Sequence, residues 1–341
     1  MSAPTRLGRF DRRKFLGQCA TLGVASSLGL HGHASATEPP PEVSKIRLVH
    51  APAICLSPQY VAEDLLRDEG FSQVEYAELK TLSPSSLVAA GGADMSMDAT
   101  VALLPVIDAG AKLVVLSGIH AGCYELFGHD RVRAVRDLKG RRVAISGENT
   151  AEHVYMSSIV AYVGINPRKD IDWVIAKSSA DALHAFIDGK ADAFFAFPPH
   201  PQELRASKTG RVILNTTLDR PWSQYFCCSV AAHSDFVARN PVATKRALRA
   251  ILKAADICSE DPERVARLLR DRGYEPRYDI GLEVVKSLPY RRWREGSPED
   301  TLRFHALRLH DIGMIRTPPE KLIARGTDWR FLNELKRELK A

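Results

Sequence analysis

The residues best suited to chemistry lie in His120-Ala121-Gly122-Cys123-Tyr124-Glu125, the densest polar cluster in the chain. An imidazole, a thiol and a carboxylate this close together can bind a polar solute, and His120 with Cys123 can ligate a metal. Two ligands do not make a metal site, and no partner pair stands out in the sequence. The reading is therefore no metal and no cofactor. Alternate residues of an extended segment share a face, which places Cys123 with Glu125. A purely structural hinge is the competing reading of the same segment. Cys227 and Cys228 are adjacent in a strand-like run, so their side chains are expected on opposite faces. They are read, with Cys55 and Cys258, as small buried apolar residues rather than a bridge or a metal pair.

Further candidates come from the ends of predicted strands, where an open α/β sheet binds its ligands. Ser57 and Tyr60 follow the first strand, and Asp98 and Thr100 follow the third. Ser146, Glu148, Asn149 and Thr150 form a loop running into a helix start, whose free N–H groups can hold an anion or a carbonyl. Asn149 can equally serve as a plain helix cap. Phe197, Trp222 and Tyr225 add aromatic surface. These segments contain no Lys or Arg but carry Asp98, Glu125 and Glu148. That balance predicts a small organic solute with a hydrogen-bond-donating nitrogen and an apolar or ring portion.

The elements that must position these residues alternate from about residue 46. Strands at Ile46–His50, Val74–Leu79, Ala93–Met97 and Leu113–Ser117 are separated by helices opening at Ser57-Pro58, Ser83-Pro84 and Thr100. Such alternation predicts a parallel sheet covered by helices. A second series follows Asp137-Leu138-Lys139-Gly140, with strands at Arg142–Ile145, Asp172–Ile175 and Ala191–Phe195. Asn149 and Glu152 are spaced as a capping box for its first helix. Beyond the strand Tyr225–Ala231 the chain turns helical, with starts at Asn240-Pro241, Asp261-Pro262, Ser297-x-x-Asp300 and Thr317-x-x-Glu320. The basic run Pro289-Tyr290-Arg291-Arg292-Trp293-Arg294 reads as a solvated turn or as a contact with an acidic surface.

The N-terminus reads as an export label. Asp11-Arg12-Arg13-Lys14-Phe15-Leu16 precedes an uncharged stretch from Gln18 to Leu30 and the small residues Ala34-Ser35-Ala36. The paired arginines resemble a twin-arginine signal over residues 1–36, which implies the twin-arginine translocase as a partner during export and a periplasmic destination. Of the 47 Lys+Arg and 41 Asp+Glu residues, the label holds five bases and one acid, leaving 42 against 40. The basicity thus belongs to the label, and a nucleic-acid partner loses its main support.

Four phrases carry a family resemblance. They are Asp137-Leu138-Lys139-Gly140-Arg141-Arg142-Val143-Ala144, Gly164-Ile165-Asn166-Pro167, Asp188-Gly189-Lys190-Ala191-Asp192-Ala193 and Phe236-Val237-Ala238-Arg239-Asn240-Pro241. In this order they resemble the solute-binding proteins of ABC importers, in the nitrate/sulfonate/taurine and thiamine-pyrimidine-precursor branch. The resemblance implies an α/β fold of two lobes, type II-like, each a mostly parallel sheet flanked by helices, with a helical C-terminal tail on lobe 1. It places crossings near Cys123–Asp130 and Tyr225–Ala231. Lobe 1 is then 43–128 plus 230–341, and lobe 2 is 129–229. It implies a monomeric, non-enzymatic protein that captures a small-molecule ligand between the lobes and passes it to an ABC permease in the inner membrane. Two other functions compete: a thiamine-pyrimidine-synthase-like enzyme, of whose cysteine-rich motif Cys227-Cys228 is only a fragment, and a ligand-sensing receptor.

Overall fold

The computed structural model describes residues 38–79 and 83–340; the export label at residues 1–36 lies outside them. The chain from Pro40 onward forms one compact unit. Its first half runs β1 (Lys45–His50), a 3-10 turn (Ile54–Leu56), α1 (Ser57–Asp68), β2 (Gln73–Glu78), α2 (Pro84–Ala89), β3 (Met95–Ala99), α3 (Thr100–Asp108) and β4 (Leu113–Ala121). The middle contains β5 (Glu125–Gly128), β6 (Arg141–Ile145), α4 (Ala151–Tyr162), β7 (Ile171–Ile175), α5 (Ser179–Ile187), β8 (Ala193–Ala196), α6 (His200–Ala206) and β9 (Arg211–Asn215). After β10 (Phe226–His233) come α7 (Ser234–Arg239), α8 (Pro241–Glu260), α9 (Pro262–Asp271), α10 (Tyr278–Ser287), α11 (Pro298–Asp311), α12 (Pro319–Gly326) and α13 (Arg330–Glu338).

The strands form mixed sheets. β1 and β2 make a parallel pair, β10 lies between β3 and β4 and antiparallel to both, and a five-stranded sheet has the order β7-β6-β8-β5-β9. In that sheet β6 runs parallel to β7 and β8, while β5 runs antiparallel to β8 and β9. β10 is buried along nearly its whole length, as its uniformly apolar and small residues require of a strand covered on both faces.

Every residue of the five-stranded sheet falls between Glu125 and Asn215, and β10 returns the chain to the sheet of β3 and β4. The chain therefore passes between the sheets twice, at 122–124 and at 216–225. The two passages hold each other: the Tyr124 N–H donates to Thr216 Oγ1 at 3.0 Å, and the Thr216 N–H and hydroxyl both reach the Tyr124 carbonyl. Gly122 is needed here, because a Cβ would sit 2.4 Å from the Thr217 Cα at a φ of +68°. The helices after β10 pack back on the first half, where Arg249 Nη2 meets the buried Glu69 carboxylate at 2.6 Å. Helix α11 packs on α3 of the first half and also touches α4 of the five-stranded unit, with Ser158 Oγ 3.2 Å from His305 Nδ1.

Helix starts follow local chemistry in part. Ser83 and Ser297 accept N–H groups as N-caps of α2 and α11. The capping box expected at Asn149 and Glu152 does not form. Asn149 turns at φ +61° outside the helix, Thr150 holds the cap position, and Glu152 is taken by the Ser146 hydroxyl. Thr317 likewise stands one residue before the observed cap, Pro318. Among the described residues no helix is long and apolar enough to cross a membrane.

Candidate functional site

Four cysteines and a histidine converge beneath the two passages. Cys55 arrives on the turn after β1, His120 at the end of β4, Cys123 in the first passage, and Cys227 and Cys228 at the start of β10. The Sγ atoms of Cys55, Cys123 and Cys228 all lie within 4.8 Å of one another, and Cys123 Sγ is 3.1 Å from Cys227 Sγ. All the cysteines of the described residues are free and buried. The expectation that Cys227 and Cys228 face opposite ways fails. The β10–β4 ladder shifts register on both sides of Cys228, and this irregularity turns both thiols toward the same cluster.

The cluster is electrically unusual. Burial opposes a charge on His120, but the sulfurs of Cys228 and Cys55 outweigh it and lift the imidazole pKa to about 10. Hydrogen bonding with Cys123 favours the Cys55 thiolate, yet Cys228 and burial prevail and push that thiol up to about 11. Burial also opposes ionisation of Cys227, but hydrogen bonds from Cys123 and Cys228 bring it down to about 7. His120 Nε2 is buried without a hydrogen-bond partner.

The other candidates from the sequence are mostly occupied by the fold. Ser57 donates to the Ile54 carbonyl at 2.5 Å, and the Tyr60 hydroxyl is held by both backbone groups of Ala51 while its ring stacks on Tyr274 at 4.0 Å. Asp98, fully enclosed, accepts the N–H groups of Ser85 and Ala99, and Thr100 shares a hydrogen bond with Ser229. Desolvation raises the Asp98 pKa against those bonds. Thr150 bonds the Gly147 carbonyl, the Asn149 N–H donates to His153, and Glu148 is exposed. Of the basic run, Arg294 pairs with Asp256 and Arg291 with Glu260, while Trp293 is buried.

Aromatic side chains fill the seam between the two sheet units. Tyr124 stacks on Phe195 at 4.7 Å, Tyr155 meets both edge-on, and Phe197 is tilted against Tyr124. Trp222, expected in a polar loop, is buried against Tyr155, Tyr162 and Phe304. Tyr225 stacks on Phe304 at 3.8 Å and lines an open groove of about 630 Å³ with Arg292, Arg303 and Arg308.

A cation that sequence reasoning missed reaches this seam. Arg205 of α6 pairs with Glu125 at 2.5 Å and with Glu283 of α10 at 2.7 Å. Arg277, at the start of α10, pairs with Glu203 of α6 at 2.5 Å. The strand-end segments do lack Lys and Arg, but α6 starts directly beyond Phe197-Pro198-Pro199 and carries Arg205 back to Glu125. The net acidity inferred from those segments is therefore lower in the folded protein.

Two sheet units joined by two passages define the periplasmic binding protein fold. Solved structures agree. The alkanesulfonate-binding protein SsuA from Xanthomonas axonopodis pv. citri, bound to MOPS, is 17% identical with a TM-score of 0.69, covering 86% of this chain and 100% of its own. The periplasmic nitrate-binding protein NrtA from Synechocystis PCC 6803 is 15% identical with a TM-score of 0.73, over 88% and 90%. The periplasmic aliphatic sulphonate binding protein SsuA from Escherichia coli is 17% identical with a TM-score of 0.63, over 85% and 93%. The family model NMT1/THI5 like matches residues 57–265, and the chain belongs to that family. No protein of curated function gives a significant match by sequence.

Proposed function

We propose that the protein is the periplasmic solute-binding component of an ABC importer, with no catalytic role, and that it captures a small organic solute between two lobes. The lobes follow the two passages, 43–121 with 226–341, and 125–215, so that β5 lies in the second lobe and all of β10 in the first, unlike the bounds 43–128 with 230–341 and 129–229 expected from the sequence. The observation that carries this reading is the paired passage at 122–124 and 216–225, because two short cross-connections between otherwise separate sheets are a hinge. The ion pairs Arg205–Glu283 and Arg277–Glu203 join α6 to α10 across the seam and suit a closed state.

A sulfonate-, taurine- or pyrimidine-like solute fits the charges best. Glu125 favours a donor nitrogen, and Arg205 beside it makes an anionic end acceptable. The helix start at Ser146–Thr150 offers N–H groups for such an end. Delivery is to a permease in the inner membrane, after export through the twin-arginine translocase, and the working protein is a monomer.

Calorimetry against alkanesulfonates, taurine, nitrate, bicarbonate, pyrimidines and amines tests the reading, with small-angle scattering recorded beside it. The expected result is tight binding of one organic class and a smaller radius of gyration when it is bound. Binding of none, or binding with no change in shape, overturns it.

A further inference from the structure

We propose that Cys55, Cys123 and Cys228 form a soft-metal site, with His120 as fourth ligand, that takes a thiophilic d10 cation such as Zn2+ or Cu+. The three sulfurs come from separate elements yet lie within 4.8 Å of one another. Metal–sulfur bonds of about 2.3 Å in a tetrahedron place sulfurs about 3.8 Å apart, so the triad needs only a small contraction. Cys55, Cys123 and Cys228 are 4%, 4% and 2% exposed and His120 is 0% exposed, so the cluster is enclosed by protein; the His120 ring nitrogens lie outside the 4.8 Å group, and the ring must turn in to reach the ion. Soft thiolate with imidazole selects zinc or copper over calcium, magnesium or manganese.

Two further observations separate this from inert core packing. Cysteines buried as small apolar residues do not require an imidazole among them, yet His120 presents Nε2 to the interior with no hydrogen-bond partner. Cys123 also holds a φ of +133°, a conformation that costs energy for any residue with a side chain. Gly122 and Cys123 together aim that thiol at the cluster rather than along the strand. On binding, each thiol and the His120 imidazolium give up a proton to solvent and donate a lone pair to the ion, so no oxidant or reductant is involved.

The competing chemistry is a Cys123–Cys227 disulfide, since those sulfurs are 3.1 Å apart. It would consume a ligand, so the two outcomes exclude each other. The site also ties the first passage, through Cys123, to the turn after β1 and to β10.

The test uses the exported protein, purified anaerobically under a non-chelating reductant. Elemental analysis counts bound metal, and Co2+, Zn2+ and Cu+ are titrated into the chelator-stripped chain. The expected result is about one ion per chain, with Co2+ giving intense sulfur-to-metal charge-transfer bands. Cys55→Ser and Cys228→Ser each abolish those bands, His120→Gln keeps them but shifts the d–d spectrum, and Cys258→Ser leaves everything unchanged. The wild-type cobalt spectrum decides the matter even where a variant fails to fold. Uptake of neither Zn2+ nor Cu+, a cobalt spectrum without thiolate bands, or a Cys123–Cys227 disulfide in the anaerobic protein overturns the proposal.

Discussion

The seam between the two sheet units is held by unlike means at its two sides. Near the passages it is dry and aromatic, built from Tyr124, Tyr155, Phe195, Trp222 and His305, all buried. Between α6 and α10 it is ionic, built from Arg205, Glu283, Arg277 and Glu203, with the arginine side chains 39% and 46% exposed. Buried aromatic area is lost all at once when a seam opens, whereas solvated ion pairs exchange for water at little cost. On the proposed reading of a protein that opens and closes, the aromatic side is the pivot and the ionic side the clasp.

The sharpest way to break this contrast is to empty the aromatic side. Trp222→Ala and Tyr155→Ala each remove a buried ring from the same cluster and should cost about 3–5 kcal/mol of unfolding free energy. Urea melts measure it. Because the rings touch, the double variant should cost less than the two singles together. Costs near zero would show that the rings merely shelter at the seam. A change at the passage itself comes next. Gly122→Ala places a Cβ against the Thr217 backbone at a left-handed φ, and about 2–3 kcal/mol of destabilisation should follow from overpacking and strain. A stability equal to the wild type would mean that the two passages can move apart freely.

Acid probes the pivot more gently. His305 is buried against Tyr155, Trp222, Tyr225 and Phe304, with Ser158 at Nδ1 and Arg308 nearby. Burial, helped by the charge of Arg308, holds its pKa at about 3. The unfolded chain takes up that proton below its ordinary value of about 6.5, while the folded chain does not until about 3. Stability should therefore be complete above pH 6.5 and fall as pH drops, by about 2 kcal/mol at pH 5. His153, also lowered by burial, pulls the same way. His120, raised to about 10, is protonated in the folded chain throughout this window while the unfolded chain takes up that proton only through about 6.5, so it partly offsets the loss. Urea melts at pH 7 and pH 5 should show the loss in the wild type and less of it in His305→Gln. An unchanged slope in that variant would remove His305 as its source.

The same contrast explains what could be read from the sequence. The alternation of strands and helices and the turn at Gly140 follow from local signals, namely apolar runs, a glycine at positive φ, and serine or proline at helix starts, whereas the return of β10 to the first half is implied by the family resemblance alone. The cysteine cluster did not, because its members are gathered by topology. Cys55, Cys123 and Cys228 come from three separate elements, and the ladder irregularity at Cys228 reverses the facing that strand periodicity predicts. Arg205 was missed for a related reason: its charge enters from a helix beyond the strand ends, and only the fold returns it to Glu125. The short-range polar pairs failed where two local partners competed, as when Ser146 rather than Asn149 claims Glu152.

The smallest expected effects belong to the clasp, and their size is what distinguishes it from the pivot. Arg277→Ala removes an ion pair between half-exposed groups and should change stability by about 0–1 kcal/mol, fading as salt screens it. Arg205→Ala should cost somewhat more, because its partner Glu125 is only 9% exposed and loses its charged neighbour with little water to replace it. The clearer readout is shape. Either variant should enlarge the radius of gyration of the unliganded protein in small-angle scattering at low ionic strength, and high salt should enlarge the wild type to match. The aromatic variants should lose stability without that salt dependence. Equal salt dependence in both sets would mean that the seam opens as one unit, with no separate clasp between α6 and α10.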